Sequence, residues 1–256
     1  MRLEVSPGAK SRAATILAVD AGNSRIKWGL AERGEWRALG AAAIDDIERH
    51  AAQAWPPLPA PAHIAVANVA GTAAEQRLAA LFLRFFARAA APAPVAWLRA
   101  VRTAGGVTNG YDDPGQLGVD RWAALVAARA RHAGDSLVVM AGTATTIDRL
   151  DARGTFRGGM ILPGLDLMKR SLAAGTAGLP FARGQYSDEP RSTPDAIESG
   201  CLAAQAGAIE RAYARLPAGA PCFLSGGAAR AIAPLLAFAT QEVEHLVLEG
   251  VLRLAQ

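Results

Sequence analysis

Two short turns in this sequence have the residue types that handle phosphate. Asp20-Ala21-Gly22-Asn23-Ser24 and Ala141-Gly142-Thr143-Ala144 each follow a short apolar run, Leu17–Val19 and Leu137–Val139. A glycine in a strand-to-strand turn lets the backbone approach a polyphosphate closely, while neighbouring N–H groups and hydroxyls donate to its oxygens. Taken alone, one such turn reads first as an ordinary hairpin. Two of them, at equivalent places in a repeated strand–turn–strand pattern, can grip a polyphosphate such as ATP from both sides. Asp20 at the end of its run is suited to orient Mg²⁺ through water, because that ion takes few carboxylates and keeps several waters. Lys27 lies three residues past Ser24 and can neutralise phosphate charge.

Between the turns runs Asn109-Gly110-Tyr111-Asp112-Asp113-Pro114-Gly115-Gln116-Leu117-Gly118-Val119-Asp120-Arg121. Asp120 and Arg121 open an expected helix. Two readings stand side by side: an acidic first turn that stabilises the helix dipole, or a base next to an arginine that recognises a carboxylate. Gly8-Ala9-Lys10-Ser11 fails as a P-loop, since no glycine adjoins the lysine and none stands at the required place upstream.

Composition narrows the alternatives. Hydrophobic residues make up 51% and charged residues 20% of 256 positions, as in an ordinary soluble protein. The net charge is +4, but the arginines are scattered with no like-charged run, so no nucleic-acid partner is expected. Cys201 and Cys222 form no C-x-x-C pair, and His50, His63, His132 and His245 do not cluster, which argues against zinc. No apolar stretch is long enough to span a membrane and none resembles a signal peptide, so a cytoplasmic location is expected.

The elements that must hold these residues follow from periodicity and punctuation. Strands are expected at 15–20, 25–30, around Trp36 and Arg37, at 63–69, 95–98 and 137–140, with two more up to about Phe156, and at 221–224. Helices are expected at 42–54, 73–90, 119–132, 165–174, 194–214, 228–238 and 246–255. Residues 1–14 read as a loose leader. The repeat of the two turn patterns suggests duplication, hence two similar α/β domains facing one another. The expected division is 15–117 and 118–256.

Taken in order, the motifs resemble those of type III pantothenate kinases. Asp20-Ala21-Gly22-Asn23-Ser24 resembles their first phosphate motif, and Gly142-Thr143-Ala144-Thr145-Thr146 their second. Tyr111, Pro114, Leu117, Gly118, Asp120 and Arg121 are spaced as in their substrate motif. Gly158 to Gly164, Thr193 with Ala196, Ile197 and Gly200, and the closing Leu246-Val247-Leu248-Glu249-Gly250 also fit. The resemblance runs over nearly the whole chain from Ile16. It implies an actin-like fold of two ribonuclease-H-like domains, mixed sheets flanked by helices, and a homodimer. It implies transfer of phosphate from ATP to pantothenate with Mg²⁺, the first step toward coenzyme A. On matching positions it implies that Asp20, Ala21, Gly22, Asn23, Ser24, Arg25, Ile26, Lys27 and Thr143 hold ATP. Tyr111, Gly118, Val119, Asp120, Arg121 and Thr193 would hold pantothenate, with Asp120 as proton acceptor.

One position departs from the pattern. Where the family often has an aspartate that ligates K⁺ or NH₄⁺, this sequence has Met140. A thioether cannot serve a hard cation, which puts the monovalent-cation requirement in question. Two rival readings share the fold: a kinase for another small hydroxylated acid, and a non-catalytic regulator. The tyrosine-to-arginine motif argues against the first, and the intact Asp20, Asp120 and Thr143 argue against the second.

Overall fold

The computed structural model describes residues 15–87, 93–181 and 183–256. The expected leader, with its Gly8–Ser11 segment, lies outside the described residues. The chain forms two β-sheets. The first contains β1 (Thr15–Ala21), β2 (Arg25–Glu32), β3 (Glu35–Ala43), β4 (His63–Asn68) and β5 (Val95–Trp97), in the order β3-β2-β1-β4-β5. Helices α1 (Ile47–Ala54) and α2 (Thr72–Phe86) supply the connections. The second contains β6 (Thr103–Ala104), β7 (Val107–Asn109), β8 (Ser136–Ala141), β9 (Ala144–Leu150), β10 (Thr155–Pro163), β11 (Cys222–Ser225) and β12 (Gln241–Glu242), in the order β12-β11-β8-β9-β10-β7-β6. Its helices are α3 (Val119–Arg131), α4 (Leu165–Gly175), α5 (Thr193–Tyr213), α6 (Ala229–Ile232) and α7 (Leu246–Leu254).

The duplication expected from the turns is written in the topology. β1 pairs antiparallel with β2 on one side and parallel with β4 on the other. β8 pairs antiparallel with β9 on one side and parallel with β11 on the other. Extended outward, β3-β2-β1-β4-β5 matches β10-β9-β8-β11-β12 strand for strand. β6 and β7 are an addition on the free edge of β10. The expected division at 117/118 therefore falls after two strands that hydrogen-bond into the second sheet.

Strand alternation sorts the side chains into three layers. Leu17, Val19 and Ala21 of β1 face an outer core with Trp55, Phe82 and Phe86 from α1, α2 and their flanks. Leu137, Val139 and Ala141 of β8 face the opposite outer core with Cys201, Leu202 and Ile209 of α5. Ala18 and Val138 point inward, to a central core built on α3 and α7 with Trp122 fully buried. The same alternation places Asp20 and Met140 on the inner faces. The two central helices cross closely at Gly250, where a Cβ would run into the carbonyl of Ala123.

Several boundaries differ from expectation for identifiable reasons. The alanine run 41–43 has helix propensity, but Ala41 and Ala43 pair with Lys27 and Arg25, and the helix starts only at Ile47. The helix expected at 228–238 is a short α6 followed by a 3₁₀ turn over Ala233–Leu235, because Pro234 cannot continue it. The helix from 73 is described as far as Phe86, and the end expected for it at 90 lies outside the described residues. β10 runs on through Gly158 and Gly159 to Pro163, past the expected end near Phe156.

Candidate active site

The two glycine turns meet. Ser24 Oγ and Thr143 Oγ1 are 2.8 Å apart and hydrogen-bonded, one from each repeat. Each turn is closed from within: Gly22 N donates to Arg25 O at 3.0 Å, and Gly142 N to Ala144 O at 3.1 Å. Neither glycine has the positive φ that would demand one. A Cβ at Gly142 would make ordinary contact, at 3.6 Å from Ala144 O, and one at Gly22 a slightly tight 3.3 Å from Arg25 O. Inside the protein, then, little forbids a side chain here; the open side is the one facing solvent. Asn23, Ser24, Gly142 and Thr143 are exposed, whereas Ala21 and Ile26 are core residues that offer only main chain. Arg25 is exposed on the turn and Lys27 half-buried on β2.

The second turn is braced from behind. Gly164 N donates to Thr143 O at 3.0 Å, and a side chain there would strike the carbonyls of Gly142 and Thr143. Gly226, at φ +105°, packs against the backbone of Ala141, and Ala228 N donates to Ala141 O. A strand end held on both flanks gives a rigid rim.

Asp20 sits at the end of β1, opposite Lys27 in register. It is 8% exposed, and burial lifts its carboxyl from 3.8 to about 7; Lys27 opposes that rise and Asp120 adds to it. A buried acid lacking full compensation is suited to a cation, and the donor set of one carboxylate at a phosphate-facing turn fits Mg²⁺ held partly by water. Asp120 lies in the first turn of α3, where its Oδ1 accepts from Arg121 N at 2.8 Å. Gly118 leaves room for it, since a Cβ there would stand 2.6 Å from Asp120 Oδ1. Val119 is buried in the central core. Asp120 is near enough to Asp20 for its charge to help raise the Asp20 carboxyl.

Arg121 does not face an empty site. Its Nε and Nη2 donate to Asp148 Oδ2 and Oδ1 at 3.0 and 2.5 Å, and its Nη1 to Tyr111 Oη at 3.1 Å. The pair is almost wholly buried. Burial works against charge on Arg121, but the two bonds to Asp148 outweigh it and hold the guanidinium above its ordinary range. Burial likewise pushes Asp148 upward, against the two N–H groups that keep it ionised. Breaking such a pair by removing one partner costs about 3–5 kcal/mol. The Tyr111 ring packs on Phe156 with centroids 5.1 Å apart. The loop carrying Tyr111 is stapled by Arg102, which donates to the carbonyls of Asn109, Tyr111 and Asp112, and by buried Asn109, which bonds Tyr111 N and Pro114 O. Asp148 and Arg102 escaped sequence reasoning. The only signal for Asp148 was a buried acid inside a strand, and its partner lies far off in sequence.

Thr193 does not enter this hydrogen-bonded group among the described residues. It is the exposed first residue of α5, capped by Ser192, and among the described residues no hydrogen bond links it to Asp20, Tyr111, Asp120 or Thr143. Met140 packs against the central core, beside Thr146 and Ser225 in register. The thioether brings no charge and no hard oxygen donor to this position. Among the described residues no group of three His, Cys, Asp or Glu could hold a metal. Burial pushes the Cys222 thiol up to about 12, so it is a structural thiol and no nucleophile.

Known proteins bear on this geometry. A protein-family model described as type III pantothenate kinase matches residues 16–215. The type III pantothenate kinase of Aromatoleum aromaticum is 50% identical over 244 residues, covering 92% of this chain and 95% of its own. That of Azoarcus sp. (strain BH72) is 47% identical over 238 residues, covering 92% and 88%. Among solved structures, a Campylobacter jejuni protein provisionally described as a Baf family transcriptional activator aligns with TM-score 0.60 at 20% identity, covering 93% of this chain and 96% of its own. A Sinorhizobium meliloti protein provisionally described as a 2-dehydro-3-deoxygalactonokinase aligns with TM-score 0.55 at 17% identity, covering 94% and 98%. These distant structures speak to the fold alone, and it is the expected actin-like and sugar-kinase fold. With the family model spanning both glycine turns and the Tyr111-to-Arg121 segment between them, the chain belongs to the type III pantothenate kinase family.

Proposed function

We propose that this protein transfers the γ-phosphoryl group of ATP to the primary hydroxyl of pantothenate, giving 4′-phosphopantothenate and ADP, the first step toward coenzyme A. The observation that carries the reading is the Ser24–Thr143 bond, which joins the two glycine turns, the first of them opening on Asp20. Residues Asp20 to Lys27 and Thr143 take the ATP phosphates. Tyr111, Gly118, Val119, Asp120, Arg121 and, from α5, Thr193 take pantothenate. Asp120 accepts the hydroxyl proton as the new O–P bond forms and the bond to the ADP oxygen breaks. Phosphoryl transfer has a loose transition state, so positioning and charge neutralisation do most of the work. Mg²⁺, oriented by Asp20, supplies charge neutralisation at the phosphates when bound; Lys27 adds a fixed positive charge.

Further proposals rest on this reading. Met140 makes activity less dependent on K⁺ or NH₄⁺ than in relatives with aspartate there. The protein is a homodimer: five exposed large apolar side chains, Met160, Ile161, Leu167, Phe181 and Tyr186, fall in the stretch leading to Thr193, while Leu39, Leu83 and Val101 lie elsewhere. It works in the cytoplasm, consistent with two free buried cysteines and with no described helix long and apolar enough to cross a membrane. The test is ADP release by the purified protein with pantothenate, against other small hydroxylated acids and no acceptor. Turnover only with another acid would replace the substrate; none with any would favour the regulator.

A further inference from the structure

Asp148 and the Gly158-Gly159 pair have no part in the function proposed above, yet they meet at its acceptor side. β9 and β10 place Asp148 opposite Gly159, immediately after a break in register between Phe156 and Gly159. Gly158 adopts φ +94°, a conformation L side chains rarely take. A Cβ on Gly159 would strike Asp148 Oδ1 and Ile147 O and stand 3.0 Å from Arg121 Nη2. The backbone of β10 is thus bare where the Arg121–Asp148 pair lies against it. Asp148 occupies Nε and Nη2 of Arg121 and leaves Nη1 for Tyr111 Oη. The guanidinium also lies 5.7 Å from the Tyr111 ring centre and 5.6 Å from that of Phe156. Since the Tyr111 oxygen accepts from Nη1, its own proton is free to point outward to an acceptor oxygen.

We propose that Asp148, seated in the space left by Gly159, is a positioning residue for the acceptor substrate: it locks the Arg121 fork, and Arg121 aims the Tyr111 hydroxyl at an acceptor oxygen of the acid. The part of Arg121 in holding pantothenate is thus exerted through Tyr111, its fork being held by Asp148. The inference rests on Tyr111 lining the acceptor site.

The test is a double-mutant cycle of Asp148→Asn and Tyr111→Phe in the full-length protein, reading KM for pantothenate, KM for ATP, kcat and melting temperature. Asp148→Asn is expected to raise pantothenate KM about tenfold with ATP KM unchanged. Tyr111→Phe should do the same, and the double variant should be no worse than the poorer single one. Arg121→Lys, which keeps a positive charge beside Asp148 but loses the two-pronged fork, should give the same signature and serves if Asp148→Asn does not fold. A lower melting temperature with pantothenate KM unmoved overturns the proposal, as does full additivity in the cycle. An unchanged pantothenate KM in Tyr111→Phe overturns it at a different point, the placement of Tyr111 in the acceptor site.

Discussion

Replacing Asp120 by asparagine keeps the size of the side chain and removes the charge that accepts the hydroxyl proton. Turnover is expected to fall by about 10²-fold or more while ATP binding survives, as steady-state kinetics and nucleotide titration would show. Asp20 gives a pH signature of its own. Its carboxyl stands near 7 in the folded, ligand-free protein against 3.8 ordinarily. Between those values the native state binds the extra proton, so stability is greatest below the lower one and falls as pH rises through the higher. Melting temperatures from pH 4 to 8 should show this decline, and Asp20→Asn should flatten it. Met140 makes a third case. Without a carboxylate beside the phosphates there is less repulsion for a monovalent cation to relieve. Initial rates in K⁺, NH₄⁺, Na⁺ and a bulky organic cation at fixed ionic strength should be similar; strong activation by K⁺ or NH₄⁺ would show that other groups rebuild the site.

At the scale of elements, the glycine turns are the parts to perturb. Gly22→Val and Gly142→Val should fold, since neither position has a strained backbone or a severe clash, and should weaken nucleotide binding far more than pantothenate binding. Calorimetric titration with each ligand separates the two; normal ATP affinity in a folded variant would make that turn merely structural. These turns were legible because their chemistry is local: strand, glycine and hydroxyl lie within a few residues. The same holds for α3, with its long apolar face and acidic first turn. What escaped was set by distance. Asp148 matters through Arg121, and nothing near it in sequence announces that partner. β6, β7 and β12 are two or three residues long and owe their existence to neighbouring strands rather than to any periodicity. Ala41–Ala43 went to a strand because pairing with β2 outweighed intrinsic preference.

For the molecule as a whole, assembly is open to a direct experiment. If Thr193 acts on a neighbouring copy, Asp120→Asn and Thr193→Ala subunits, each inactive alone, should regain activity when mixed and re-equilibrated, because some mixed dimers then carry one intact site. No recovery, with mixed dimers present by mass, would place Thr193 in its own chain's site or outside the reaction. Helix α7 carries a different consequence. It follows every other element in the chain, yet it packs on β1, the first strand, as well as on α3. Leu252 shares a cluster with Ile16 and Ala31, and His63 Nε2 lies 3.0 Å from Ala255 O. During synthesis the inner face of the first sheet must therefore wait, uncovered, until residues 246–255 emerge from the ribosome. Although the two repeats look alike, the first cannot mature alone. Both acquire their final packing together once α7 has been made, and a chain arrested before α7 presents chaperones with the apolar face that this helix would have closed.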